Sequence, residues 1–176
     1  MKVLMLGLGL ALLCSVCAEH QCSGDDRHLE GTWHVIGIGT NSFYESTRDG
    51  FMKIIFASLF LPEERKLKVT SYFPMESGCK KVEIEFEKME DGTYHNTSES
   101  GKTTIEIVKT NCEDYAIAIV KVEKDEKTTI LVILFSKNSE VSPEIKQQLT
   151  TIGESQGMMS DNIVFFSSGV ACQDEA

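Results

Sequence analysis

Much that would announce a chemistry is missing from this 176-residue chain. It holds no Cys-x-x-Cys and no paired His, so nothing has the ligand spacing of a zinc site, and no cofactor motif stands in for one. Its four histidines, His20, His28, His34 and His95, are scattered with no Ser or Cys motif beside them. Nucleophile-plus-base catalysis therefore has no foothold. Lys and Arg nowhere cluster and the formal net charge is −10, which argues against nucleic acid or anionic membrane as partner. The plain role of such acidity is solubility. Past residue 18 no apolar run is long enough to cross a bilayer. No linker, repeat or low-complexity stretch divides the chain, whose length suits one domain with a sizeable core. Tryptophan occurs once, at Trp33, in "EGTWHVIGIGTN".

What is present begins with "MKVLMLGLGLALLCSVCA". Lys2 gives a positive start, Val3 to Leu13 an apolar stretch, and Val16 and Ala18 fit a cleavage site. Residues 1–18 thus read as a secretory signal peptide and 19–176 as a single secreted domain. Cleavage removes Cys14 and Cys17 and leaves Cys22, Cys79, Cys112 and Cys172, an even number that suggests disulfides in an oxidising compartment. Asn96, in "NTS", offers a glycan acceptor.

Strand-like runs then follow one another between turn signals. They are "TWHVIGIGTN", "FMKIIFASLFL", "KLKVTSYF", "KVEIEFEKM", "KTTIEIVKT", "YAIAIVKVE" and "TTILVILFS", with an Asp91-Gly92 hairpin signal after the fourth. In the fourth, Val82, Ile84 and Phe86 alternate with Glu83, Glu85 and Glu87. That is a strand with one wet face, and its acids are a solvated exterior rather than an acid/base pair. The runs at 115–122 and 129–135 are apolar on both faces and need a cover. "VSPEIKQQLTTIGESQG" supplies it: Ser142 suits an N-cap, Pro143 suits N1, and Ile145, Leu149 and Ile152 make one apolar stripe. The expectation is an all-β fold: an eight-stranded antiparallel up-and-down barrel, with one C-terminal helix (about 142–156) packed on the outside and a tail at 167–176. Eight strands are just wide enough to hold one small ligand.

These pieces resemble the lipocalin family across essentially the whole of residues 19–176. Gly31-Thr32-Trp33 is similar to its first motif. "KTNCEDYAI" partly matches the second, usually built around T-D-Y. "ILFSKNSEVSPEI" is similar to the third, with Lys137 where an arginine is usual. "SYFPMESGCKK" and "NSEVSP" look closest to the group of extracellular fatty-acid-binding, neutrophil-gelatinase-type and prostaglandin D synthase-like lipocalins. The resemblance implies that Gly31 and Trp33 belong to a plug at the barrel's closed end, with Lys137 over the indole. It also implies a Cys79–Cys172 bridge clipping the tail to the wall. It brings Cys22 and Cys112 to the same end, where a second bridge, two free thiols or a link to another chain are all open.

Motif alignment with alternation gives the inward, ligand-lining positions. They are Met52, Ile54 and Phe56 with Ser58 on the second strand. Leu67, Val69, Ser71 and Phe73 follow on the third, and Val82, Ile84 and Phe86 on the fourth. Ile105 and Ile107 lie on the sixth, Ala116, Ala118 and Val120 on the seventh, and Leu131, Ile133 and Phe135 on the eighth. Ala116 and Ala118 leave room, no charge points inward on these strands, and Ser58, Ser71 and Thr129 are polar handles. The reading is a non-enzymatic carrier of a small hydrophobic molecule such as a fatty acid, odorant or similar lipid. It is a monomer or weak dimer, with no metal, no nucleic acid and no stable membrane insertion. A prostaglandin-synthase activity needs a thiolate on the second strand, and no Cys lies between Cys22 and Cys79. The alternatives are a surface-acting or defence protein, working through a cell-surface receptor, and a siderophore binder. The last needs inward cations, and Ile133 stands at one such position.

Overall fold

Alternation and turn chemistry resolve into nine strands and one helix in a computed structural model, which describes Cys22 and residues 26–42, 56–75 and 78–166. The expected signal peptide, Met52, Ile54, Cys172 and the tail from 167 lie outside those residues. The strands are β1 (Gly31–Thr40), β2 (Phe56–Glu63), β3 (Lys66–Met75), β4 (Gly78–Lys88), β5 (Tyr94–Ser98), β6 (Gly101–Thr110), β7 (Tyr115–Lys124), β8 (Lys127–Ser136) and β9 (Ile163–Phe165). The helix α1 spans Pro143–Ser155, and a 3-10 turn at Asp26–Leu29 precedes β1.

The order β2-β3-β4-β5-β6-β7-β8-β1-β9 is closed by β1–β2 pairing, and every pair is antiparallel. The first eight strands form a closed up-and-down barrel, and β9 adds a short strand beside β1. Turn residues fit their jobs. Gly92 takes φ +85 in the β4–β5 hairpin, and Asp125 and Glu126 both take positive φ between β7 and β8, the backbone of a type I′ turn.

The doubly apolar runs find the expected cover. Ile117, Val132, Leu134 and Leu149 are fully buried, and Ile36, Ile119 and Met158 join them, with Ile145 and Ile152 of α1 packed on the edge. Ser142 sits at the N-cap in extended conformation, but its hydroxyl makes no capping bond. The close approach of α1 and of the segment after it depends on two glycines in β1. A Cβ on Gly37 would lie 2.8 Å from both Leu149 Cδ2 and Phe165 Cδ1, and one on Gly39 would lie 2.9 Å from Met158 Sδ. Within α1 Gly153 packs against Ile163, and Gly157 at φ +79 follows the last turn.

Candidate functional site

The register sorts the wall into two faces. Ser71 stands opposite Val82 and Ala57, and Val69 opposite Ile84 and Leu59. Ala57 stands opposite Trp33, and Val35 opposite Phe135. Phe135, Ile133 and Leu131 pair with Ala116, Ala118 and Val120, and those last two pair with Ile107 and Ile105. All lie on the face away from α1, so the expected positions on β3, β4, β6, β7 and β8 share the barrel's interior.

On β2 the parity is the reverse of that expected. Ala57 and Leu59 face inward, with Leu59 and Leu61 packed against Leu67, Phe86 and Tyr94. Phe56 and Ser58 are on the outer face. There Phe56 is buried beside Tyr72 and Cys79, with the His34 ring 4.7 Å away. The physical reason is that "FASLFL" is apolar at both parities, so period-2 reading cannot choose a face. His34 is correspondingly half-buried, and that burial lowers its pKa.

One end of the barrel is filled. Trp33 is fully buried and its Nε1 donates to Leu29 O at 2.7 Å. Lys137 Nζ lies 5.0 Å from the indole centre and donates to His28 O at 3.4 Å. Gly31, at φ +113, opens the strand in a conformation only glycine takes readily. Leu67, Phe86 and Tyr94 complete this floor. Asp26 ties it to the 3-10 turn, accepting hydrogen bonds from Lys88 Nζ and the Tyr94 hydroxyl. Burial pushes the Asp26 carboxyl up, but those two bonds and the nearby Lys88 and His28 charges hold it below its ordinary value. Burial first, then the Asp26 bond and charge, raise the Tyr94 pKa. The Cys22–Cys112 bridge is present, fastening the N-terminal segment to the β6–β7 turn at this end. Cys79 is also disulfide-bonded; its expected partner Cys172 is outside the described residues.

Above the floor the interior is loosely covered. Ile84 is 39% exposed although it faces inward, and Val69, Val82, Ile105, Ile107, Val120 and Phe135 are only partly buried. The helix-covered outer face is drier than this inner one. Ala118, expected to leave room, is 1% exposed and Ala116 3%, so neighbours close over them and the free surface lies instead on β3, β4 and β6. At the open mouth the inward face carries cations that strand patterning left out: Lys80 stands opposite Phe73, and Lys124 opposite Lys127. Thr129 does reach a polar partner, Ser42, at 3.4 Å. The outer acids belong to the wet face, Glu83 pairing with Lys68 at 3.1 Å and Lys81 at 2.9 Å. Asn96, the expected glycan acceptor, uses its Nδ2 to bond Glu85 O at 2.8 Å. Among the described residues no group of His, Cys, Asp and Glu could hold a metal ion.

Known proteins agree with this architecture. The chain is 32% identical over 144 residues to the extracellular fatty acid-binding protein of Gallus gallus, spanning 81% of each. It is 25% identical over 174 residues to major urinary protein 20 of Mus musculus, spanning 97% of this chain and 95% of that one. The solved siderocalin Ex-FABP, described as functioning through dual ligand specificities, is similar with a TM-score of 0.71 at 25% identity, over 82% of this chain and 97% of that one. The model of the lipocalin / cytosolic fatty-acid binding protein family matches residues 30–169. With its eight-stranded closed barrel, filled floor and outer helix, this chain belongs to that family.

Proposed function

We propose that this protein is a secreted carrier that holds one small apolar molecule in its barrel and performs no chemistry on it. The observation that carries the reading is the inversion of burial. Inward Ile84, Val69, Val82, Ile105 and Ile107 keep accessible surface, while Ile117, Val132 and Leu134 outside them are sealed. Apolar surface that stays accessible inside a closed wall gains by taking up an apolar guest, at about 25 cal/mol per Å² removed from water. The name of the Gallus gallus relative points to a fatty acid, and the mouth suits one: a carboxylate head would stand by Lys80, Lys124 and Lys127 while its chain runs down to Phe86. The urinary relatives and the extracellular relative support secretion, as does the leader-like sequence at 1–18.

An anionic iron chelate fits less well, because among the described inward positions the cations stop at the rim. The test is titration with the fluorescent apolar probe N-phenyl-1-naphthylamine, followed by displacement with palmitate. A carrier gives saturable one-to-one binding at micromolar concentration and full displacement. A protein acting through its surface gives neither.

A further inference from the structure

The register stacks the inward side chains of β5, β6, β7 and β8 in layers. The lowest is apolar: Tyr94 stands opposite Ile105, Ile105 opposite Val120, and Val120 opposite Leu131. Two residues nearer the mouth, the same strands set Asn96 opposite Thr103, Thr103 opposite Val122, and Val122 opposite Thr129. Two residues higher again, Lys124 stands opposite Lys127. Side chains two apart on a strand share a face. Parity therefore turns Asn96 and Thr103 to the cavity, between an apolar layer and a cationic rim.

This middle layer has hydrogen-bonding capacity to spare. Asn96 donates Nδ2 to Glu85 O at 2.8 Å, which orients the amide and leaves Oδ1 as an acceptor. Among the described residues, neither Asn96 Oδ1 nor the Thr103 hydroxyl has a side-chain partner. Thr129 is already engaged with Ser42 at 3.4 Å. Asn96 and Thr103 are both only partly buried, so a guest in the cavity can reach them.

Resting on the carrier reading, we propose that Asn96 and Thr103 select the guest. Asn96 Oδ1 accepts a hydrogen bond from a hydroxyl on the ligand's chain, and the Thr103 hydroxyl donates to that same oxygen. The preferred ligand is then an acidic lipid hydroxylated part-way along its chain, held more tightly than the plain fatty acid. A hydroxyl buried in an apolar cavity without a partner weakens binding, whereas here a donor and an acceptor stand at one height. That height fixes the hydroxyl's place on the chain. The polar layer lies about 7 Å along the strands below the Lys124–Lys127 layer, or about 5 Å along the barrel axis at a strand tilt of about 40°. An extended chain with bonds of about 1.5 Å advances roughly 1.3 Å per carbon. With a carboxylate at the rim, the hydroxyl belongs about four to six carbons below it.

The experiment displaces N-phenyl-1-naphthylamine with palmitate, 6-hydroxypalmitate and 16-hydroxypalmitate, and reads the ratios of their Kd values. A general loss of structure moves all three together, so the ratio isolates the contact. In the parent, 6-hydroxypalmitate should bind about three- to tenfold more tightly than palmitate. The hydroxyl of 16-hydroxypalmitate goes to the apolar floor, so this ligand should bind more weakly than palmitate. Asn96→Leu should abolish the 6-hydroxy preference while keeping the palmitate Kd within about twofold of the parent. Thr103→Val, which keeps the shape, should lower the preference about two- to threefold. Equal binding of palmitate and 6-hydroxypalmitate by the parent overturns the proposal and leaves the carrier reading intact. An unchanged ratio in Asn96→Leu also overturns it, as does an unchanged ratio in Thr103→Val if the first variant does not fold. So does a glycan on Asn96 in protein secreted by animal cells, read by peptide mass, because an oligosaccharide there could not share the cavity with a guest. If palmitate displaces no probe, the carrier reading itself fails, and this proposal with it.

Discussion

The same ring placed at two inward positions should have opposite consequences. Ala118 is 1% exposed, between ladder partners Ile107 and Ile133, and its neighbours Ile117 and Ile119 are locked beneath α1. Ala118→Phe must push the ring into occupied space, and overpacking typically costs about 1–3 kcal/mol. At roughly 2–4 °C per kcal/mol for a chain of this size, the melting temperature should fall by about 2–12 °C. Ile84 faces the same interior but is 39% exposed, with Phe86 below it and Val69 across. Ile84→Phe places its ring in open space, and stability should stay within about 0.5 kcal/mol of the parent. The ring displaces two or three methylenes of a guest chain, each worth about 0.8 kcal/mol. Affinity should drop roughly 10- to 60-fold. Thermal melts and probe titration of the two variants decide the matter together. If Ile84→Phe destabilised as much as Ala118→Phe and left binding alone, the open space would not be where the exposure pattern puts it.

Trp33→Ala should cost about 3–5 kcal/mol, because it empties the barrel floor; a variant that melts like the parent but loses probe binding would make Trp33 a ligand contact instead. Gly37→Ala should cost about 1–3 kcal/mol in chemical denaturation, since its Cβ would sit 2.8 Å from the fully buried Leu149; an unchanged midpoint would mean that α1 is not held where described. Asp26 has a depressed pKa, so its contribution is fully present above its ordinary value of 3.8 and is lost as pH falls below that. Asp26→Asn should therefore flatten the acid limb of the stability curve below about pH 4, and a parent and variant with parallel acid limbs would refute the assignment.

The legible parts of this fold are those where one residue type can occupy only one face. "KVEIEFEK" fixed its own orientation because glutamates and apolar residues alternate, and "EIKQQLTTI" showed one stripe. "FASLFL" could not be oriented, because its outer side is buried too, beside Tyr72 and His34. Gly37 and Gly39 look in sequence like weak spots in a strand, and their use as a seat for α1 and the segment after it exists only once the helix has docked. The lining of the candidate site was legible as alternation on β3, β4, β6, β7 and β8. The distribution of free space was not, because it depends on how neighbouring strands close over Ala118 and fail to close over Ile84. Asn96 read as a glycan acceptor because a three-residue signal says nothing of a carbonyl eleven residues away.

The central claim is that an apolar guest sits inside the barrel, and the most direct test is residue-resolved. Methyl-labelled protein titrated with palmitate should show one-to-one shifts at Val69, Val82, Ile84, Ile105 and Ile107, with Ile117, Val132 and Leu134 beneath α1 unmoved. Shifts confined to the outer methyls, or none at saturating palmitate, would contradict it.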